Sequence, residues 1–291
     1  MWQLKRYLYA RSPEEAVTLL RREPGKGCYI AGGTDLFLLP PRDCDFVVDI
    51  NGAGLGAIQR TAAGGLYLGA TATLQMIACS PVVHGFAGGA VARTAQHCGN
   101  RPVRSVATLG GNLGNALPAA DMAPILLALD ASVHIGDGAS REIRPLTEFF
   151  TGPRATILGD RLLLGVELPG GAAAWRAASR KLTRTAEDIS LVHVAVALAR
   201  QSTVIDTARI ALGAVAPVPL RASAAEQALT GRDPQAADFG VQVQVVAQLA
   251  ADAAAPIDDH RASAAYRRAM IAVLTRRLVT ELTAAEGAAA P

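Results

Sequence analysis

The segment from Ser105 to Asp121, SVATLGGNLGNALPAAD, constrains the fold more than any other stretch of the chain. Positions 110, 111, 112, 114 and 115 within it are all glycine or asparagine. Glycine loses the most conformational entropy on folding and packs no side chain, so this composition argues against a stable helix or a regular strand. The segment therefore predicts a long ordered loop, and the apolar run from Met122 to Leu129 predicts a helix that closes it.

A second glycine pair lies in the stretch YIAGGTDLFL, where Gly32-Gly33 follows a short apolar run. Consecutive N–H groups that no Cβ obstructs can form an anion-binding nest. A hydroxyl stands beside each pair, Thr34 after the first and Thr108 before the second. Two such nests would suit the two halves of a pyrophosphate. As a bare pattern each pair also fits an ordinary turn, so the residues alone leave both readings open.

The distribution of charge points to the same kind of ligand. No Asp or Glu lies between Asp49 and Asp121, whereas four arginines do, which suits a small ligand that carries phosphate. The stretch is too poor in lysine and aromatic residues for a nucleic-acid surface. With 51% apolar and 18% charged residues, the chain is typical of a globular protein. The four arginines are Arg60, Arg93, Arg101 and Arg104.

Patterns of apolar residues predict an α+β fold. Ser12-Pro13-Glu14-Glu15 fits a capping box that opens a helix over 13–22. Strands that precede helices, without regular alternation of the two, favour α+β over a doubly wound fold. Pro169-Gly170-Gly171 indicates a domain boundary. The other predicted strands are 28–30, 46–50, 66–70, stretches near 133 and 143, 162–168, 189–199 and 204–215, and the other predicted helices are 74–79, 85–98, 220–229, 241–254 and 263–282.

Several motifs invite stronger conclusions than they support. Residues 52–57 fit the G-x-G-x-x-A dinucleotide fingerprint, but Gly64-Gly65 interrupts the helix that the fingerprint needs and no acid follows at the ribose-binding distance. The four cysteines have no C-x-x-C pair, so we expect buried free thiols and no metal site. Four of the five histidines, at 84, 97, 134 and 193, have no partner at catalytic spacing, and structural roles are favoured for them. The cysteines are Cys28, Cys44, Cys79 and Cys98.

Two arginine pairs bear on the protein's surface, and the N-terminal residues bear on its location. Arg267-Arg268 and Arg276-Arg277 indicate a solvated helix face, with a subunit interface as the sharper alternative. Residues 1–20 hold no apolar core of signal-peptide length, and no stretch reaches 18 apolar residues. We therefore expect a soluble cytoplasmic protein without a membrane span.

Four motifs together carry a resemblance to a known family. They are AGGTDL from Ala31, RSVATLGGNLGNALPAADMAP from Arg104, RIALGAVAPVPLRA from Arg209 and DDHRASAAYRR from Asp258. In this order they resemble the FAD-binding medium subunit of the molybdenum hydroxylases, the xanthine dehydrogenase and carbon monoxide dehydrogenase family. The resemblance spans nearly the whole chain.

The resemblance implies a vanillyl-alcohol-oxidase (PCMH) type of FAD domain made of two α+β subdomains. A C-terminal domain with a three-stranded antiparallel sheet and a helical bundle, like that of the carbon monoxide dehydrogenase flavoprotein, follows it. On this chain the FAD domain is expected over 1–171, with subdomains of about 1–52 and 53–171, and the C-terminal domain over 172–291.

The resemblance also implies the residues that touch FAD. The AGGT and T-x-G-G-N loops hold the pyrophosphate and ribityl chain, and the acid of the P-A-A-D motif is a ribityl or ribose partner. No catalytic residue and no metal ligand is expected from this chain. The implied cofactor-binding residues are Tyr29, Ile30, Ala31, Gly32, Gly33, Thr34, Asp35, Leu36, Gly99, Thr108, Leu109, Gly110, Gly111, Asn112, Asp121, Leu163, Lys181 and Ile189.

Departures from the family's pattern are modest. Leu109 stands where Ile is usual, Pro102 and Ser105 precede the second loop, and Thr185 replaces a second Arg. They leave FAD binding intact and the electron acceptor open. The hydroxybenzoyl-CoA-reducing variant of the family carries an extra iron–sulfur cluster in an insertion. Because no cysteine-bearing insertion exists here, we expect no such cluster.

The function implied by the resemblance is electron transfer through non-covalently bound FAD. Partner subunits would hold molybdopterin and two [2Fe-2S] clusters, in a dimer of heterotrimers, and an external acceptor would take the electrons. Two alternatives remain: a stand-alone flavin oxidase of the same fold, with its own substrate cavity and base, and a small-molecule binding module without a redox role. The sequence names neither the hydroxylated substrate nor the acceptor.

Overall fold

A three-stranded parallel sheet and one helix form the N-terminal part of the chain. The computed structural model describes residues 4–41, 43–137 and 139–284. The first helix begins where the capping box predicts it, because the side chain of Ser12 accepts a hydrogen bond from the Glu15 N–H (3.1 Å). The third strand lies between the other two. The elements are β1 (Arg6–Tyr9), α1 (Pro13–Arg22), β2 (Gly27–Ile30) and β3 (Phe46–Asp49).

A five-stranded antiparallel sheet and a separate two-stranded hairpin follow. The predicted strands near 66–70, 133, 143 and 162–168 all form in this sheet, whereas the hairpin has no counterpart in the sequence-based prediction. Residues 52–57 open no helix and lead directly into the sheet's edge strand, which confirms that they are not a dinucleotide fingerprint. The strands are β4 (Ile58–Arg60), β5 (Leu66–Gly69), β6 (Ser132–Gly136), β7 (Arg141–Pro145), the hairpin β8 (Phe150–Gly152) and β9 (Ala155–Thr156), and β10 (Leu162–Leu168), with the sheet in the order β4-β5-β10-β6-β7.

Six short helices lie between β5 and β6, and they bury one large apolar core against the sheet. The predicted helix over 85–98 is wrong in its first part, because Gly88 and Gly89 have positive φ angles and the helix begins only after them. The helices are α2 (Leu74–Cys79), α3 (Pro81–His84), α4 (Ala90–Gln96), α5 (Arg101–Val106), α6 (Leu109–Gly114) and α7 (Met122–Ala128).

The prediction of a long loop over 105–121 is also wrong, since α6 contains both glycines of the second pair. Thr108 caps this helix by accepting a hydrogen bond from the Gly111 N–H (3.0 Å). A Cβ added to Gly110 would lie 2.7 Å from the Ala70 carbonyl oxygen at the end of β5. The glycine thus lets the helix pack directly on the strand, and this tertiary contact overrides the low helix propensity of the segment.

The C-terminal part is a four-stranded antiparallel sheet between two layers of helices. One face packs on α7, and the other packs on the last three helices of the chain. The sheet has three long strands, as expected, and a two-residue edge strand that replaces the start of the predicted helix over 220–229. The elements are β11 (Arg176–Leu182), β12 (Val192–Gln201), β13 (Val204–Gly213), β14 (Leu220–Arg221), α8 (Ser223–Leu229), α9 (Phe239–Asp252) and α10 (Ala264–Thr283).

Two expectations about which side chains are buried and which are exposed are wrong. Arg267 on α10 is buried, because it pairs with Asp259 (2.7 Å) and donates to the carbonyl oxygens of Leu191 and Ala214 (3.2 Å each). Cys79, expected to be buried, lies on the outside of the last turn of α2. In the part of the chain that the structure describes, no helix has the length and apolar character needed to cross a membrane.

Candidate cofactor site

A cavity of about 400 Å³ opens where β2 ends. Its walls are the loop after β2, the start of α6, the β8–β9 hairpin and the first residues of β10. Carboxyl ends of parallel strands are a frequent position for ligands, and the volume falls within the range of about 300 to 1,000 Å³ usual for small-molecule pockets.

The loop after β2 presents unpaired main-chain N–H groups. Over residues 4–41, 43–137 and 139–284, the N–H groups of Gly32, Gly33, Thr34 and Asp35 meet no protein acceptor. Gly33 has a φ of +67°, a left-handed conformation in which successive N–H groups turn toward one point. A Cβ on Gly32 would lie 2.0 Å from the Val106 carbonyl oxygen. The first pair therefore forms an open nest that is packed against the end of α5.

The second glycine pair does not form the nest that the sequence predicts. Its N–H groups are already paired: Leu109 donates to the Ala72 carbonyl (3.0 Å) and Gly110 to the Ala70 carbonyl (2.7 Å). Gly111 donates to its own N-cap hydroxyl, and Asn112 donates to the Thr108 carbonyl in the first helical turn (2.9 Å). The pair still lines the cavity, but its backbone N–H groups are already hydrogen-bonded to the protein.

Polar side chains connect the two walls. The Asn115 amide nitrogen, at the end of α6, donates to the Asp35 carboxylate (2.8 Å). Tyr29 donates its hydroxyl to the Asp160 carbonyl (2.8 Å), and burial raises the pKa of this phenol. Of the residues that the resemblance implies, those that line the cavity are Tyr29, Ile30, Ala31, Gly32, Gly33, Thr34, Asp35, Leu36, Thr108, Gly110, Gly111, Asn112 and Leu163.

Asp121 and Lys181 lie outside the cavity wall, in a buried polar cluster. Their side chains form an ion pair (3.0 Å) and are 13% and 8% exposed. Ser190 donates to the other Asp121 oxygen (2.7 Å). His193 lies nearby, with its Nδ1 3.9 Å from that oxygen and without a hydrogen bond among the described residues. Burial lowers the pKa of His193 to about 4, although Asp121 acts in the opposite direction, so the ring is neutral at pH 7.

Asn112 joins this cluster to the cavity. It lines the cavity, and its side-chain oxygen accepts a hydrogen bond from the Met122 N–H (3.2 Å), the residue after Asp121. The remaining implied residues differ in position. Ile189, 51% exposed, lies beside the cluster, and Gly99 lies at the α4–α5 turn, where its carbonyl accepts from Arg104 (2.8 Å). Leu109 is fully buried in the core.

The arginines of the acid-free segment are not the cavity's arginines. None of the four lines it, and Arg60, Arg93 and Arg104 donate to main-chain carbonyls. The arginines that do line it, Arg154 and Arg161, went unnoticed in the sequence. The one signal for the first of them is the turn sequence Gly152-Pro153-Arg154, which the patterns of apolar residues did not identify as a hairpin.

The donor set fits an anionic dinucleotide such as FAD. Free N–H groups, a threonine hydroxyl and two arginines face a cavity that also has apolar walls. These groups suit a pyrophosphate together with a ring and a sugar. Among the described residues, no group of three or more His, Cys, Asp or Glu side chains is placed to hold a metal ion.

Two family descriptions match successive parts of the chain. Residues 3–171 match the family described as the FAD binding domain in molybdopterin dehydrogenase, and residues 177–282 match the CO dehydrogenase flavoprotein C-terminal domain. A glyceraldehyde dehydrogenase medium chain of Sulfolobus acidocaldarius is 28% identical over 95% of this chain and 97% of its own. A putative xanthine dehydrogenase FAD-binding subunit of Escherichia coli is 28% identical over 99% of both.

A solved structure shows the same fold. The carbon monoxide dehydrogenase of Hydrogenophaga pseudoflava, in a form that lacks the Mo-pyranopterin moiety of its cofactor, superposes with a TM-score of 0.90 at 27% identity. The superposition covers 97% of this chain and 98% of that one. These relatives are named for different substrates at nearly equal identity, so the comparison favours none of these substrates for this chain.

Proposed function

Because this chain belongs to the family of FAD-binding subunits of molybdenum hydroxylases, we propose that it passes electrons from the iron–sulfur clusters of a partner subunit to an external acceptor. The observation that carries the proposal is the open nest of Gly32 to Asp35 at the edge of a cavity. FAD, when bound, supplies the redox chemistry, since it exchanges electrons singly or in pairs. Substrate oxidation takes place on a partner subunit.

The chain's own residues hold and orient the cofactor. We propose that the N–H groups of residues 32–35 bind the pyrophosphate and that the Thr34 hydroxyl adds a further donor. Asn112 stands at the junction of cavity and cluster, where the ribityl chain would pass. Lys181 and Asp121 form an ion pair (3.0 Å), and this pair supplies a preorganised dipole at the flavin end of the ligand. Leu163 and Ile189 cover apolar parts of the ligand.

The same proposal extends to the assembly. We propose division into the FAD domain, 1–171, with subdomains of about 1–52 and 53–171, and a C-terminal domain, 172–291. A [2Fe-2S] small subunit and a molybdopterin-binding large subunit complete the enzyme, as a cytoplasmic dimer of heterotrimers. The xanthine and carbon monoxide dehydrogenase relatives support these partners, and the acceptor is NAD⁺, oxygen, a quinone or a small redox protein.

A stand-alone oxidase of the same fold is less well supported. Such an enzyme needs a base beside its substrate. Of the residues described, the cavity is lined by one carboxylate, Asp35, which already accepts a hydrogen bond from Asn115, and by no histidine or lysine. We therefore expect no general base from the cavity.

Purification of the full chain tests the cofactor assignment. The absorption spectrum should show flavin, and acid precipitation should release all of it, since the attachment is non-covalent. The chain alone should not oxidise small alcohols. A colourless chain that takes up no added FAD would contradict the proposal, and turnover of small alcohols by the isolated chain would favour the oxidase.

Co-expression with the adjacent genes tests the electron route. The chain should purify with a [2Fe-2S] protein and a molybdopterin protein, and substrate should then reduce its flavin. Removal of the [2Fe-2S] protein should leave FAD bound but unreduced by substrate. Reduction at an unchanged rate without that protein would contradict the route.

A further inference from the structure

Arg154 occupies a backbone position that favours glycine. It is the second of two residues in the β8–β9 turn, after Pro153, and its φ is +58°. Proline followed by a left-handed residue is typical of a turn that takes Gly or Asn at the second position. A side chain with a Cβ costs conformational free energy there. The chain thus places an arginine where glycine would fit the backbone better.

Hydrogen bonds hold the turn over the end of α6. The Arg154 N–H donates to the Ala116 carbonyl (2.9 Å), which anchors the backbone. Within the described part of the chain, the guanidinium itself makes only a long contact, with the Asn115 side-chain oxygen (3.5 Å). Because Asn115 also donates to Asp35, the three side chains form a line from the hairpin to the glycine loop. Arg154 therefore lines the cavity beside Asn115 and, among the described residues, has no strong partner for its side chain.

The two arginines that line the cavity differ in whether a carboxylate pairs with them. Arg161 pairs with Glu142 (2.6 Å) and also donates to the Leu158 carbonyl (3.2 Å). Arg154 lines the same cavity and forms no ion pair with any described carboxylate. A guanidinium has a planar fork of donors that matches phosphate oxygens. The strained position and the weak contact are both accounted for if its partner is an anionic ligand.

We propose that Arg154 binds the pyrophosphate of the cofactor and so positions the dinucleotide in the cavity. The four free N–H groups of residues 32–35 provide dipoles but no full charge. A pyrophosphate brings two negative charges, and the guanidinium supplies the cation that the nest lacks. This inference rests on the proposed function, because it takes FAD as the ligand.

The strained turn gives a test that separates binding from folding. In Arg154→Gly the backbone strain is relieved, so the apo-chain should melt at the wild-type temperature or higher. The same variant should raise the Kd for FAD at least tenfold. Arg154→Lys keeps a charge but loses the fork, and its Kd should lie between the two. FAD titration of the full-length apo-chain, followed by flavin fluorescence, and thermal unfolding of the same samples measure both.

Ser202→Gly is the matched control. Ser202 stands in the β12–β13 turn with a φ of +56° and does not line the cavity. Its substitution should leave the melting temperature equal or higher and the Kd for FAD unchanged. The wild-type Kd should also rise with salt more steeply than that of Arg154→Gly, because an exposed ion pair is screened.

The role of Arg154 and the proposed function would be contradicted by different results. If Arg154→Gly binds FAD with the wild-type Kd, the role of Arg154 is refuted and the proposed function stands. If Arg154→Gly melts well below wild type while Ser202→Gly does not, Arg154 is a structural residue and the inference also fails. A wild-type chain that takes up no FAD would refute the proposed function itself.

Discussion

The two glycine pairs look alike in the sequence and use their backbones in opposite ways. In the loop after β2, the N–H groups of residues 32–35 are free of protein acceptors among the described residues. In α6, every N–H group from Leu109 to Asn112 is paired, either with a main-chain carbonyl just after β5 or with Thr108 at the helix cap. The loop after β2 therefore offers main-chain donors to the cavity, whereas α6 lines the cavity without free main-chain donors over residues 109–112.

The difference lies in what each pair contacts. Gly32 abuts the end of α5, and its N–H has no acceptor among the described residues, whereas Gly110 abuts Ala70 at the end of β5 and donates its N–H to the Ala70 carbonyl. A glycine pair therefore permits close packing in both places, and only one of the two places retains unpaired donors. A motif with two glycines indicates close approach of the backbone but does not say to what.

Loss of FAD from Gly33→Ala is the largest effect we expect. At a φ of +67° alanine shifts the backbone, and the nest loses its geometry, so the affinity should fall at least a hundredfold. Gly64→Ala is the control, because Gly64 has a φ of +77° and open space around it. Both variants should lose about 1 kcal/mol of stability. Equal FAD affinity in the two variants would show that FAD binding does not depend on the backbone conformation at Gly33.

The stability of the buried cluster around Asp121 should depend on pH through His193. Its pKa is about 4 in the folded chain and 6.5 ordinarily, so as the pH falls the unfolded chain takes up the proton first. The stability that depends on this ring is complete above pH 6.5 and is lost as the pH falls toward 4, by about 3 kcal/mol in total.

Urea unfolding at pH 7 and pH 5 measures this loss. Wild type should lose about 2 kcal/mol more than His193→Asn between these two values, because the variant has no ring to protonate. Equal losses in the two proteins would mean that the cluster around Asp121 is open to water.

Gly110→Ala should destabilise the fold without a specific effect on FAD. The added Cβ would lie 2.7 Å from the Ala70 carbonyl oxygen and 2.8 Å from its Cβ, so α6 must move off the strand. Such overpacking costs about 1 to 3 kcal/mol, which chemical denaturation of the apo-chain measures. A variant as stable as wild type would show that α6 does not depend on this contact.

Gly111→Ala should have the smallest effect. The Gly111 N–H is already paired, and an added Cβ meets only the Thr108 hydroxyl, at 3.1 Å. The gain in helix propensity, up to about 1 kcal/mol, offsets this contact, and FAD affinity should stay within threefold. Gly240→Ala in α9, with open space around it, gives the propensity gain alone. A large loss of FAD in Gly111→Ala would mean that α6 also donates to the ligand.

Local patterns predicted elements whose signal, a cap or a run of apolar residues, lies within the element itself. The capping box of α1 and the apolar strands of the five-stranded sheet formed where they were expected. Prediction of α6 failed, because the helix is stabilised by contacts with Ala70 and Ala72, which follow β5 and are distant in the sequence. The burial of Arg267 was missed for a similar reason, since Asp259 pairs with it and the Leu191 and Ala214 carbonyls accept its hydrogen bonds only in the folded chain.

Prediction of the candidate site was limited in the same way, by contacts between residues distant in the sequence. The motifs identified the glycine walls and Asp121, but the search for positive charge selected the four arginines between Asp49 and Asp121, which do not line the cavity. Arg154 reaches the cavity through the β8–β9 turn, and no spacing in the sequence links that turn to Asn115. Residues brought together by a hairpin and a helix end can be found only from the fold.

Amide hydrogen exchange of the full chain, with and without FAD, tests the central claim most directly. Without FAD, the amides of residues 32–35 should exchange fast and those of residues 109–112 slowly, because only the second set is hydrogen-bonded. Added FAD should slow the first set strongly and leave the second nearly unchanged. If FAD leaves residues 32–35 unprotected, or if these amides are already as slow as the second set in its absence, the open loop is not the pyrophosphate site.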